Sequence, residues 1–459
     1  MVETCRICYS DESEVAFMVP TPCRCRGNRS RVHALCLRRW QQTARLKGNF
    51  LGGRRCHACD GDYGVVFDER IPMGILGGTG LVGRRLAARL ASHPTFCLGP
   101  VAGSPATEGQ KLREVWRLKE AALEAHYGPA IWRAEPVPEC LSEDVVVSSA
   151  KALARCDYVV SAIAPELGHF EEDLRAAGVL VFSISPHARD NPRNPLLIPE
   201  LNGVEELLKV LEEGRSSKRG ETLFVPPLFK SPNCVVCGAS LALYCLDKNF
   251  GLKEVHLVTF QALSGRGDAK YTPANFVVGN VLPLAGSSEK TDDYQRAELL
   301  RLFPKLQKCT VHAHRVSVQN GHYLRLNCTL ASPPASVSAV KAQLENFRPL
   351  NHLDLPTAPT RPIVLCDDVG RPAPAFDAHH HNGMAIAIGD ISLSGCDLSF
   401  GLVVNNLVRG AWGAALLSAE LYHKLHQQGE AEETTNRRDT DLARGKETSD
   451  HDDNKKPSS

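Results

Sequence analysis

The clearest hydrophobic pattern in the chain begins at Ile71-Pro-Met-Gly-Ile-Leu76, an apolar run that predicts a buried strand. Glycines at 77, 78, 80 and 83 interrupt it, and RRLAARLAS then carries apolar residues at helical spacing. Further buried strands are predicted at Cys97–Ala102, Asp157–Pro165 and Val179–Ser185. Beyond Ser231-Pro-Asn-Cys-Val-Val-Cys-Gly238, Leu241, Leu243, Tyr244 and Leu246 predict a helix with Cys234 on the turn at its N-terminus. Glu254–Gln261 alternates in part, as a sheet strand presenting Gln261 to a site would. Thr310–Val318 and Tyr323–Ala331 are candidate strands flanking the Asn320-Gly321 turn. A helix with one apolar face is expected from about Gly410 to His426. From Gln427 onward Ala431, Leu442 and Ala443 are the sole apolar residues, so a disordered tail is expected.

Composition narrows the class. The chain has 459 residues, 43% of them hydrophobic, and a formal net charge of +1. That length supports two or three domains with real cores, and the charge balance points to no nucleic acid or other polyanion as overall partner. No run of 18 apolar residues exists, so no membrane span is expected. MVETCRICYSDESE reads as neither signal nor transit peptide, and a cytoplasmic location follows as the default. Of 17 cysteines, seven lie before residue 60. The other ten are scattered, as in a reducing compartment.

Those seven, with His33, form four close pairs: Cys5/Cys8, Cys23/Cys25, His33/Cys36 and Cys56/Cys59. Eight such ligands match two tetrahedral Zn²⁺ sites. The segment has too few apolar residues for its own core and should fold with metal bound. Its text, CRIC, PCRCRG, VHALCLRRW and CHAC, resembles the RING-CH (RINGv) finger over residues 3 to 63. The resemblance implies interleaved ligation, with Cys5, Cys8, His33 and Cys36 on one zinc and Cys23, Cys25, Cys56 and Cys59 on the other. It also implies recruitment of a ubiquitin-conjugating enzyme, with Ile7 and Trp40 at the hydrophobic contact positions. Residues 15 to 59 hold ten Lys/Arg and no Asp/Glu, consistent with a solvated basic face or an acidic partner.

Strand, glycine turn and helix is the context in which a backbone approaches a pyrophosphate at a helix N-terminus. No acidic residue closes the strand ending at Ala102 to take a ribose 2′-hydroxyl, and Ser104 and Thr107 follow it, which favours NADP over NAD. His187-Ala-Arg189 lies just beyond a strand's C-terminal end, where open α/β sheets bind ligands. Downstream, Cys234, Gln261, Arg315 and His322 supply a nucleophile, an orienting amide, a cation for a carboxylate and an acid/base. Helix amides and dipole at Cys234 are expected to lower its pKa. The bland alternative is a buried free thiol.

These residues, with SAIAPE, PLLIPELN, FQALSG, RVSVQNGH and NNLVRGAWGAALLSAEL, resemble the aspartate-semialdehyde dehydrogenase family, nearest its archaeal and fungal branch, over about residues 73 to 426. The resemblance implies reduction of L-aspartyl-4-phosphate by NADPH through a cysteine thioester, in threonine, methionine and lysine synthesis, by a homodimer or homotetramer. It implies Cys234 as nucleophile, Gln261 as positioning amide, His322 as acid/base, Arg315 on the α-carboxylate and Arg189 in the phosphate pocket. Glu289 and Lys290 are implied as amino-group acceptor and phosphate contact. Gly77, Thr79, Gly80, Val82 and Gly83 match the cofactor loop, Ser104 and Thr107 the 2′-phosphate reader, and Asn406 the nicotinamide end. Departures are Val235, Val236 and Cys237 after the nucleophile, Ile184 for an asparagine, Arg266 for an alanine and DAHHHN at 377–382. Malonyl-CoA and succinyl-CoA reductases resemble the same branch and are the rival reading. A ubiquitin ligase using the dehydrogenase body as a binding module is the rival of another class. The expected organisation is α/β: a small zinc-bound RING-like module at 1–70, a Rossmann-type NADP-binding domain at 71–232 and an α+β catalytic and dimerisation domain at 233–402. A returning helix at 403–426 and a tail at 427–459 complete it.

Overall fold

The computed structural model describes residues 5–7, 22–32, 36–37, 40–41, 55–63, 70–142, 145–218, 224–266, 273–285 and 290–429. Cys8, His33, Glu289 and the chain after 429 lie outside the described residues.

The first sheet is parallel and has six strands: β1 (Ile71–Leu76), β2 (Phe96–Ala102), β3 (Val147–Ser148), β4 (Tyr158–Ser161), β5 (Leu180–Ser183) and β6 (Phe229–Lys230). Their order, β3-β2-β1-β4-β5-β6, is that of a dinucleotide-binding fold, with the order reversing beside β1. Helices α1 (Leu81–Ala91), α2 (Leu112–Tyr127), α3 (His169–Ala176) and α4 (Val204–Lys218) connect these strands. Buried Arg84 of α1 pairs with buried Glu120 of α2 at 2.9 Å, which ties the first two helices together. Removing one partner of such a pair leaves an uncompensated buried charge and costs about 3–5 kcal/mol.

Helix α5 (Cys234–Phe250) leads into the second sheet. That sheet comprises β7 (Leu252–Gln261), β8 (Val281–Pro283), β9 (Lys308–Val316), β10 (His322–Leu330), β11 (Ile363–Cys366), β12 (Ile386–Ser394) and β13 (Asp397–Val404). Its order is β11-β12-β13-β10-β7-β9-β8. Alternate residues of β7, β9 and β10 are buried, and Val255, Leu257, Val311, Leu324 and Leu326 meet Val236, Leu243 and Leu246 of α5 in one core. Helices α6 (Thr291–Leu302) and α7 (Val337–Glu345) complete this half.

The last helix, α8 at 413–429, packs Ala415, Leu416, Leu421 and Tyr422 into the core of the first sheet, beside Met73, Phe182 and Phe229. It continues through 429, so residues 427–429 are helical where a disordered tail was expected. Among the described residues no helix is long and apolar enough to cross a membrane.

Candidate active site

Strand register assembles three of the expected side chains. In the parallel β7/β9 pair Gln261 stands opposite Arg315, and in the antiparallel β7/β10 pair Phe260 faces Tyr323, which sets His322 beside Gln261. All three are buried. Arg315 Nη1 donates to the Ala262 carbonyl at 3.0 Å and approaches Gln261 Oε1 at 3.5 Å. Gln261 Nε2 donates to Thr259 Oγ1 at 3.1 Å. Gly265 lies over them: a Cβ there would stand 3.0 Å from Arg315 Nη1 and 3.0 Å from His322 Cε1.

Cys234 meets this group from α5, with Sγ 3.2 Å from His322 Nε2. The Ala262 amide donates to His322 Nδ1 at 2.9 Å, so the neutral ring carries its proton on Nε2, facing the sulfur. Burial, and then the Arg315 charge, hold His322 well below its ordinary value, at about 3. The Cys234 thiol behaves opposite to expectation. Burial pushes it up to about 11, while Arg315, Arg189 and the Val235 amide pull it down without prevailing. A helix N-terminus favours thiolate, but desolvation of the half-buried Cys234 outweighs it here.

Asn233 caps α5, its Oδ1 accepting from Val235 N at 3.0 Å and from Gln295 Nε2 at 3.1 Å. Such a cap contributes about 1 kcal/mol and fixes the helix entry that aims Cys234. Glu298, one turn beyond Gln295 on α6, accepts from the Asn233 backbone N–H and from Arg189 Nη1, the latter at 3.1 Å. Arg189 is therefore linked through Glu298 to Asn233, the residue that caps α5. Glu298 and Gln295 escaped sequence reasoning because nothing in their local text distinguishes them from an ordinary helix face. Also missed was the buried cluster Lys230, Glu171 and Ser183 under the SPNC turn. There Lys230 Nζ lies 2.9 Å from Glu171 and 2.7 Å from Ser183 Oγ, and burial lowers Lys230 to about 8 against the opposing pull of Glu171.

Other expected residues fall elsewhere. Lys290 is exposed at the start of α6, and Glu289 is outside the described residues. Cys237 is buried and donates to the Pro232 carbonyl at 3.3 Å. Asn406 spends its side chain internally, accepting from Gly321 N at 2.9 Å and donating to Ser264 Oγ at 2.9 Å. It thereby anchors the turn before His322. Within DAHHHN, His380 approaches Asp377, which is already paired with Arg371.

The glycine loop fits a dinucleotide phosphate. A Cβ at Gly77, whose φ is +82°, would stand 2.7 Å from the Ala162 carbonyl, and one at Gly83 would stand 2.4 Å from the Gly77 carbonyl. Gly80 caps α1, whose first turn carries no acidic residue. Thr79 is buried against Gly103, and Val82 is half-buried against the cluster that includes Leu81 and Leu407. Ser104 and Thr107 share one turn past β2, their hydroxyls 3.4 Å apart.

In the N-terminal module the sulfurs of Cys23, Cys25, Cys56 and Cys59 lie within 4.8 Å of one another, and Cys25 and Cys56 are 3.7 Å apart. With Zn–S bonds of about 2.3 Å, a tetrahedral ion needs sulfurs roughly that far apart. Arg6 donates to Cys25 Sγ at 3.1 Å, which suits a thiolate. Of the other expected set, Cys5 and Cys36 are described, while Cys8 and His33 are not. Ile7 and Trp40 pack half-buried on the same small core.

Comparison with known proteins agrees with this division. Residues 72–209 match the semialdehyde dehydrogenase NAD binding domain, 243–409 the semialdehyde dehydrogenase dimerisation domain, and 5–59 the RING-variant domain. An aspartate-semialdehyde dehydrogenase of Archaeoglobus fulgidus is 31% identical over 365 residues, 77% of this chain and 98% of that protein. One from Cryptococcus neoformans is 29% identical over 372 residues, 77% and 96% of the two chains. A malonyl CoA reductase (NADP) of Metallosphaera sedula is 29% identical over 366 residues, 76% and 95%. Among solved structures, aspartate semialdehyde dehydrogenase with NADP from Candida albicans superposes with a TM-score of 0.65 at 25% identity, covering 78% of this chain and all of that one.

Proposed function

Since the chain belongs to the aspartate-semialdehyde dehydrogenase family, we propose that it reduces L-aspartyl-4-phosphate to L-aspartate 4-semialdehyde with NADPH, through a thioester on Cys234. The observation that carries this reading is the 3.2 Å approach of Cys234 Sγ to His322 Nε2, with Arg315 and Gln261 buried beside it.

The Nε2–H of His322, with Arg315 and Arg189, stabilises the thiolate form of Cys234. The sulfur attacks the acyl carbon, the carbon–oxygen bond to phosphate breaks, and phosphate leaves toward Arg189, carrying away the thiol proton. Arg315 takes the substrate α-carboxylate, and Gln261 orients the acyl group. The Gly77–Gly83 loop, with Ser104 and Thr107 toward the 2′-phosphate, would hold NADPH, which would supply the hydride. As the thiohemiacetal oxyanion reforms the carbonyl, the carbon–sulfur bond breaks and Cys234 leaves as a thiolate that accepts a hydrogen bond from the Nε2–H of His322 and regains its proton from solvent. The active species in this reading is a dimer or tetramer.

The likeness to malonyl CoA reductase, with Ile184 where the family has asparagine, favours acyl-CoA as the second reading. NADPH oxidation with aspartyl phosphate, against malonyl-CoA and succinyl-CoA, separates the two. Turnover on acyl-CoA alone overturns the first.

The N-terminal module holds two zinc ions in this reading, and Ile7 and Trp40 offer a contact for a ubiquitin-conjugating enzyme. Loss of binding to such an enzyme in Trp40→Ala, with zinc content unchanged, tests that partner. Equal binding by wild type and variant removes it.

A further inference from the structure

Glu298 joins two parts of the site that the reaction uses separately. One oxygen accepts from Arg189 at 3.1 Å and the other from the backbone N–H of Asn233, the residue that caps the nucleophile's helix. Both charged side chains are nearly enclosed, Arg189 at 12% and Glu298 at 9% exposure, so their attraction is weakly screened. Arg189 is further fixed by its own bond to the Ile184 carbonyl and by Arg301, which donates to the Arg189 carbonyl. Gln295 holds the Asn233 side chain from the same helix face.

We propose that Glu298 is a positioning residue that sets the anion affinity of the phosphate pocket and ties it to the nucleophile. Its carboxylate neutralises Arg189 while the pocket is empty, so an incoming phosphate dianion competes with it for the guanidinium. The same carboxylate holds the α5 entry that aims Cys234. Phosphate is thereby bound loosely enough to leave after thioester formation. This inference rests on the assignment of Arg189 to the phosphate pocket.

The test uses the full chain in the aldehyde-oxidising direction, with aspartate semialdehyde, NADP⁺ and inorganic phosphate, following NADPH formation. Glu298→Gln keeps the shape and an acceptor oxygen but removes the charge. The KM for phosphate is expected to fall by about three- to tenfold, the range of a partly buried ion pair. kcat is expected to fall by about tenfold as the Asn233 N–H loses its charged acceptor and Cys234 shifts. In an Arg189→Ala background, Glu298→Gln should no longer lower the phosphate KM. Glu298→Asp, which withdraws the carboxylate, should shift the phosphate KM the same way by less, and serves if the glutamine variant does not fold. A merely structural Glu298 would raise the phosphate KM or leave it unchanged, with or without Arg189. Either result overturns the proposal. An Arg189→Ala phosphate KM equal to wild type would instead remove Arg189 from the pocket, and the underlying assignment with it.

Discussion

Replacing Gly265 by alanine puts a methyl group into the catalytic space. Its Cβ would stand 3.0 Å from Arg315 Nη1, 3.0 Å from His322 Cε1 and 3.2 Å from His322 Nε2, where ordinary contact begins at 3.4 Å. One or both side chains must retreat by about 0.4 Å, and neither is free to do so. Arg315 is bonded to the Ala262 carbonyl at 3.0 Å, and His322 is held by the Ala262 amide at 2.9 Å. A misplacement of about 1 Å costs on the order of a hundredfold in rate, so 0.4 Å corresponds to roughly tenfold, or about 1.4 kcal/mol of transition-state stabilisation. Steady-state kinetics in the aldehyde-oxidising direction should show that loss in kcat/KM. The melting temperature should change little, because the clash falls on the site rather than on an apolar core. A Gly265→Ala enzyme within twofold of wild type would refute the placement of Arg315 and His322 under this turn.

Cys234→Ser should retain NADPH binding by fluorescence and lose turnover, whereas Cys237→Ser keeps most of its rate; reversed results would reassign the nucleophile. Arg315→Lys loses the planar fork and should lower kcat/KM for aspartate semialdehyde about ten- to a hundredfold, or about 1.5–3 kcal/mol, while the KM for phosphate changes far less. An unchanged kcat/KM would remove Arg315 from the site. Burial holds His322 at about 3 in the fold against 6.5 when exposed, so between these values the unfolded chain binds the extra proton. Stability is therefore fullest above about pH 6.5 and falls as pH drops toward 3. The unfolding free energy of His322→Asn should decline less steeply from pH 6.5 to 4 than that of wild type, and parallel profiles would contradict a neutral buried ring. Among the described residues, the small core of the zinc module draws on none from the dehydrogenase body. A strong chelator should accordingly release about two zinc ions per chain without slowing NADPH oxidation, and a chain starting at Met73 should keep the kcat and KM of the whole. Loss of activity in both would mean that the module supports the body.

Where chemistry depends on neighbours along the chain, it was legible before any coordinates. The glycine loop is one case: a Cβ at Gly80 or Gly83 would run into the nearby Gly77 carbonyl, a local clash, although at Gly77 itself it would meet Ala162, which lies far off in sequence. The paired cysteines of the module are another, and so is the placement of Cys234 at the start of its helix. Other features arise between segments far apart in sequence. Gln261, Arg315 and His322 converge because β9 and β10 both pair with β7 in one register, and a slip of one residue would turn each away. Glu298 reaches Arg189 and Asn233 across 109 and 65 residues through the docking of α6, which no local pattern announces. The protonation of Cys234 was decided the same way. A sequence shows a cysteine at a helix start, where the dipole favours thiolate. The fold half-buries Cys234, and loss of water raises its pKa by more than the helix and two arginines lower it.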